Sequence, residues 1–255
     1  RPHHGADLLW ASFPCQAFSS AGERRGARDD RNGWPWTVAA MDAVGPAWFI
    51  GENVPGLTYH TAECGPRTGP MDCPGCYLGS IIMRDLRARF PWVDVWKLDA
   101  ADYGVPQHRR RIFLVAGPRP VRKPRPTHCD PTLPLMLATG YQPWVSLADA
   151  LGLAARVIGG GRNPTATPGD VRTFRDITDE PSTTLAAARI GNAGPWVVGD
   201  GRRRLTLAEC ARLQSFPPGH PFQGTKAARY QQIGNAVPPP VARVIGAAFM
   251  EASHA

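Results

Sequence analysis

No apolar run in these 255 residues approaches the roughly 18 that a membrane-spanning helix needs, and no signal-peptide pattern opens the chain. Helical membrane spans are therefore removed from the readings. Cysteine is scarce: six residues are too sparse for a disulfide scaffold and suit a reducing, cytoplasmic setting. Lysine occurs only at Lys97, Lys123 and Lys226, so arginine supplies almost all of the positive charge. Internal repeats are absent. Charged residues make up 20% and hydrophobic ones 43%, a globular balance that excludes a disordered chain. Glycine and proline are plentiful at 27 each, which favours turns and long connections. The length allows one large domain or two modest ones.

The net charge of +8 is unevenly placed. Residues 1–116 hold 13 basic and 12 acidic side chains, and residues 117–204 hold 12 and 7. A basic middle third points to a polyanionic partner, with arginine-rich codon usage as the alternative reading. Within it, "GPRPVRKPRPTH" spaces four prolines among arginines and a lysine, the layout of an extended basic connector suited to phosphate tracking.

Apolar runs bounded by turn signals predict buried strands at Leu8–Ala11, Ala47–Ile50 and Ile112–Ala116, with a further candidate at Val93–Trp96. Helical patterns cover Trp36–Val44 and Ser80–Phe90, the second placing Ile82, Leu86 and Phe90 on one face. Alternation of this kind predicts a layered α/β sheet. Residues 127–200 read as irregular. Order returns where Thr206 and Glu209 form a capping box, and a last helix runs from about Val241 to Glu251.

Three segments carry chemistry. Cys15 stands just beyond the first strand, where catalytic groups of open α/β sheets sit; it is a nucleophile there or an inert core thiol. Glu52 and Asn53 follow the second strand, so Glu52 is expected on the same rim, as a proton donor or as a solvated charge. Gln107, Arg109 and Arg111 precede the Ile112 strand and share that rim only if the strand runs antiparallel to the others.

Taken together, "PCQAFSSAG", "ENVPGL", "YGVPQHRRR", "RRLTLAECARLQSFP" and "QQIGNAVPPPVA", in that order, resemble the motifs of the DNA (cytosine-5)-methyltransferase family. The resemblance covers residues 5–117 and 202–250 and implies a Rossmann-like, S-adenosylmethionine-dependent α/β sheet with a small target-recognition domain. It also implies roles. Cys15 adds to carbon-6 of a flipped cytosine, Glu52 engages ring nitrogen 3, and Arg111, helped by Arg109, holds the 2-oxo group. Gln16, Ser19, Asn53 and Gln107, with Thr184 and Leu185 of "PSTTLAA", fall at substrate-side positions. Pro14, Trp34, Asn235 and Val237 fall on the cofactor side. The implied division is a catalytic part over residues 1–118, recognition over 119–201 and a return segment over 202–255. Double-stranded DNA is the implied partner, a cognate restriction endonuclease a further one, and a bacterial host would place the protein at the nucleoid.

Two departures qualify the resemblance. The family's Gly-rich strand-turn and acidic strand end, which hold the cofactor, have no counterpart before Ala6, and the chain starts at Arg1 rather than Met. The expectation is a missing amino-terminal segment, supplied in cis or in trans, that leaves the Leu8 strand as an open apolar edge and the chain alone catalytically silent. Between Gly56 and Leu78, His60, Cys64, Cys73 and Cys76 offer four ligands for a structural zinc, although only the Cys73–Cys76 spacing is typical. Two rival functions stand beside the main reading: a tRNA cytosine-5 methyltransferase and a non-catalytic DNA-binding remnant.

Overall fold

The computed structural model describes residues 5–14, 32–59, 69–134, 138–152, 156–159, 175–185, 196–198 and 202–254. Contacts divide the chain into two units. The first comprises Arg1–Leu98, Arg110–Lys123 and Met250–Ala255, the second Asp99–Arg109 and Pro124–Phe249.

In the first unit, β1 (Leu8–Ala11), β2 (Trp48–Asn53), β3 (Trp92–Asp99) and β4 (Arg110–Gly117) form a sheet in the order β1-β2-β4-β3. β1 runs parallel to β2, with Ala11 opposite Gly51, while β2 and β4 are antiparallel, with Asn53 opposite Ile112. Side chains alternate across the sheet. Phe49, Ile112, Leu114 and Ala116 therefore share one face, packed with Trp34 and Met41 of α1 (Trp34–Val44) and with Leu78, Ile82 and Leu86. Leu78 and Ile82 lie on a π-helical turn, Leu78–Met83, that runs into α2 (Arg84–Arg87), which carries Leu86. Phe113 points to the other face, edge-on to Trp10 at 6.3 Å. Gly79 belongs to the close packing: a Cβ there would stand 2.3 Å from the Cys73 carbonyl oxygen.

β2 is buried along its whole length, whereas β1 is half-exposed at the sheet edge, with Leu8 39% exposed. The first predicted strand is thus present but open on its outer side. The other two extend beyond their apolar runs. β2 includes Glu52 and Asn53, and β4 includes Arg110 and Arg111, because a ladder continues into polar residues wherever its backbone partners continue.

The second unit departs most from expectation. Short strands β5 (His128–Cys129) and β6 (Gln142–Pro143) pair in parallel. β7 (Arg156–Gly159), β8 (Arg175–Asp176), β9 (Trp196–Val198) and β10 (Arg202–Arg204) form a second sheet in the order β10-β9-β7-β8. Val157, Val197, Leu185 and Leu205 build its core with Leu147 of α3 (Leu147–Leu151), Leu213 of α4 (Leu207–Leu213) and Ile233 of α5 (Lys226–Asn235). The final helix, α6, spans Pro239–His254. α4 begins on the anticipated capping box: Thr206 accepts from the Glu209 amide, and Glu209 accepts in return from the Thr206 amide.

Candidate active site

The parallel β1–β2 pairing brings Ser12, Phe13 and Pro14 alongside Glu52 and Asn53. Asn53 is 1% exposed, and its Nδ2 donates to the Phe13 carbonyl at 3.3 Å. Its Oδ1 accepts from the Val54 amide at 2.9 Å. Asn53 therefore ties the segment that leads into Cys15 to the end of β2, a holding role. Cys15, Gln16 and Ser19 lie outside the described residues.

The antiparallel condition set by the sequence is met. The end of β4 that carries Arg110 and Arg111 adjoins the end of β2 that carries Glu52. Arg111 Nε sits 2.9 Å from Glu52 Oε1, with side chains 14% and 10% exposed. Arg111 Nη1 donates to the Arg110 carbonyl at 2.7 Å, fixing the guanidinium. Nearly desolvated, this pair is held by its mutual charge; removing one partner strands the other at a cost of about 3–5 kcal/mol.

An open cleft of 490 Å³ runs along β1 and past its carboxyl end. It is lined by Trp10, Phe13, Pro14 and Trp36, with Ser12, Asn32 and Thr37 among its polar groups. Its volume lies within the roughly 300–1,000 Å³ of small-molecule sites. Gly33 makes it possible: a Cβ there would meet Pro14 Cδ at 2.3 Å. Pro14, placed on the cofactor side by the resemblance, lines the cleft. Trp34 does not. It is 1% exposed in the core, its indole donating to Asp85 Oδ2 at 2.9 Å, and the neighbouring Trp36, 76% exposed, takes the cleft position. Both tryptophans open the same helix, and the helical phase separates the buried one from the exposed one.

Within the second unit, Gln107 is fully buried and the contacts of its side chain are structural. Nε2 donates to Gln214 Oε1 at 3.0 Å and to the Leu213 carbonyl at 3.3 Å, while Oε1 accepts from the Leu185 amide at 3.0 Å. Gln214, also fully buried, donates to the Ile233 carbonyl at 2.6 Å. Arg109 is 2% exposed; its amide donates to Asp99 Oδ1 at 2.9 Å and its guanidinium reaches the Leu185 carbonyl at 3.5 Å. Thr184 is exposed, its hydroxyl donating to the His108 carbonyl at 2.7 Å, and Leu185 is buried at 2%. The substrate-side positions Gln107 and Leu185 thus form a hub with Gln214, a residue the sequence did not single out. Asn235 ends α5 and is exposed, with Val237 half-buried just beyond.

Cys73 and Cys76 are each 1% exposed, against the π-helical turn. Among the described residues no group of three or more His, Cys, Asp or Glu is placed to hold a metal, and His60 and Cys64 lie outside them. The zinc expectation gains no support.

A family model described as C-5 cytosine-specific DNA methylase matches residues 2–128 and 159–251. Type II methyltransferase M.NaeI of Lentzea aerocolonigenes is 34% identical over 262 residues, covering 96% of this chain and 59% of that protein. Type II methyltransferase M.AplI of Arthrospira platensis is 31% identical, covering 94% of this chain and 67% of that protein. The chain therefore spans 59% and 67% of the length of these two relatives. Among solved structures, the S. pombe Dnmt2 methyltransferase superposes with a TM-score of 0.62 at 14% identity, covering 97% of this chain and 79% of that one. The Entamoeba histolytica methyltransferase EhMeth gives 0.60 at 13%, covering 96% of this chain and 77% of that one. At such identities the likeness speaks for the Rossmann-like methyltransferase fold alone.

Proposed function

The chain belongs to the C-5 cytosine-specific DNA methylase family, and from that premise we propose that it is the carboxy-terminal part of a DNA (cytosine-5)-methyltransferase. The observation that carries the proposal is the Glu52–Arg111 pair, held at the rim where β1, β2 and β4 end together in family-matched segments.

Carbon-5 of cytosine is a weak nucleophile, so the protein must first load electrons into the ring. Cys15 adds its thiolate to carbon-6 of a flipped base, whose extrusion costs a few kcal/mol. Glu52 engages ring nitrogen 3 and brings the proton that balances the added thiolate. In the free protein Arg111 faces this carboxylate, so Glu52 takes up its proton from solvent as the base enters and passes it to ring nitrogen 3. Arg111 turns to the 2-oxo group, where charge collects. S-adenosylmethionine, the methyl donor of the family, supplies an electrophilic methyl group when bound. Loss of the carbon-5 proton to solvent then expels Cys15 as its thiolate, and nitrogen 3 returns its proton to Glu52, which restores the neutral aromatic ring. Arg109 acts by fixing the backbone that leads into Arg111.

Trp36, Pro14 and the rest of the cleft fit the flat, apolar portions of that donor. Among the described residues the cleft lining contains no carboxylate for ribose hydroxyls and no glycine-rich turn. We therefore assign the remaining wall to an amino-terminal segment, in cis or as a separate polypeptide, paired on the open edge of β1. Residues 119–201 serve as the recognition region in this reading. The partner is duplex DNA in the cytoplasm, and a restriction endonuclease of the same specificity completes the system. Labelled methyl transfer to duplex DNA and to tRNA, with the amino-terminal segment supplied, tests the reading. Label on DNA cytosine supports it, and label on tRNA alone replaces it.

A further inference from the structure

Residues 118–127 contain Arg119, Arg122, Lys123 and Arg125 and no carboxylate. Pro118, Pro120, Pro124 and Pro126 remove backbone donors, and after a bend at residues 118–119 the segment 120–126 forms no helix, strand or turn. Such a segment cannot pair as a central strand. Its open alternative is polyproline II, which repeats every three residues with a rise of about 3.1 Å each.

Burial follows that period. Val121 is 5% exposed and Pro124 half-buried, three residues apart, while Arg119, Arg122 and Arg125 are all exposed. The three arginines therefore recur at every third residue on the exposed side of the segment, with Lys123 exposed beside Arg122. Within the first unit Val121 is buried and Arg119 Nη2 donates to the Ser253 carbonyl at 3.2 Å; within the second the Tyr103 hydroxyl donates to the Pro124 carbonyl at 3.0 Å. Burial pushes the Tyr103 phenol up to about 12, so it stays a donor throughout the working range. Among the described residues none of the four cations is paired with a carboxylate. A row of uncompensated cations is unfavourable by itself and is relieved by a polyanion.

Its position separates it from the rim. β4 runs from the Glu52 end of β2 to the Trp48 end, so the strap leaves the sheet about 20 Å from Arg111 at ~3.4 Å per residue. We infer that Arg119, Arg122, Lys123 and Arg125 form a sequence-neutral phosphate contact for duplex DNA, away from the stretch that presents the target base. The inference rests on the DNA reading above.

The test compares the full chain with R122A/K123A/R125A and, as a charge-keeping control, R122K/R125K. Each is titrated with duplexes of family-target and scrambled sequence between about 50 and 200 mM salt, and each is run on heparin. The strap predicts affinity at low salt about tenfold or more weaker for both duplexes alike, in the alanine variant only. The slope of log affinity on log salt should flatten by roughly 3, from ~0.9 per lost phosphate contact. Heparin elution should move to lower salt in that variant, with unfolding midpoints unchanged. Equal slopes in wild type and alanine variant overturn the inference, as does a loss confined to one duplex. Heparin retention without duplex binding in the wild type fails the DNA reading instead, and with it this partner.

Discussion

Gln107, Arg109 and Arg111 are spaced evenly along one short stretch, yet they end in two different kinds of place. In the first unit Arg111 meets a carboxylate across a strand pair and keeps 14% of its side chain open. In the second, Gln107 is fully buried and spends its amide on the Leu185 amide, the Leu213 carbonyl and Gln214. In the proposed mechanism the charge facing the rim does the chemistry, whereas an amide facing inward satisfies groups that would otherwise be buried without partners. A motif read as one functional unit is therefore a chemical group joined to its scaffold.

The sharpest way to break that contrast is to change the two ends separately. Glu52→Gln and Arg111→Ala should each lower methyl transfer by about 10³-fold or more, with single-turnover rate as the readout, since each removes charge placed on the reacting ring. Binding of the duplex should change far less. Gln107→Ala should do the reverse: cost about 2–4 kcal/mol in denaturant unfolding, because backbone groups of Leu185 and Leu213 lose their partner. A Gln107 variant of full stability but no activity would place that residue at the substrate after all.

Asn53→Ala probes the middle ground. It removes the bond to the Phe13 carbonyl, so a stability loss of about 1 kcal/mol is expected. The accompanying fall in methyl-transfer rate should be recovered in part by Asn53→Asp, which keeps the acceptor for the Val54 amide. The smallest effect is at the capping box of α4, where Thr206→Ala should cost about 1 kcal/mol. Here the Arg203 guanidinium holds the Glu209 carboxyl down at about 2, from 4.5. Because the folded value is the lower one, this contribution is complete above about pH 4.5 and disappears as pH falls toward 2. Arg203→Ala removes the main cause of the lowering, so the contribution should shrink and its loss should move to higher pH. Denaturant midpoints of wild type and variant, followed across that acid range, check both changes.

What the sequence made legible follows the same division. Apolar runs placed β1 at its true bounds and located β2 and β4, but those runs stop where the polar rim begins. Glu52, Asn53, Arg110 and Arg111 therefore read as loop residues although they belong to the strands. The small sheet of the second unit stayed hidden because its strands are two to four residues long, too short for alternation to register. α5 was missed because it is polar on most faces and buries little beyond Ile233. The Gln107 hub was illegible for a different reason: its partners Leu185 and Gln214 lie 78 and 107 residues away. No local pattern marks a buried amide whose partners are that remote.

The central claim is that Cys15, Glu52 and Arg111 act together through a covalent adduct. Replacing the target carbon-5 hydrogen with fluorine blocks the proton loss that releases the thiol, so the adduct should persist. With the amino-terminal segment supplied and S-adenosylmethionine present, a 5-fluorocytosine duplex should give a denaturant-resistant protein–DNA complex. That complex should vanish in Cys15→Ser and form at least about 10³-fold more slowly in Glu52→Gln. Methylation of ordinary duplex DNA that persists in Cys15→Ser would contradict the account.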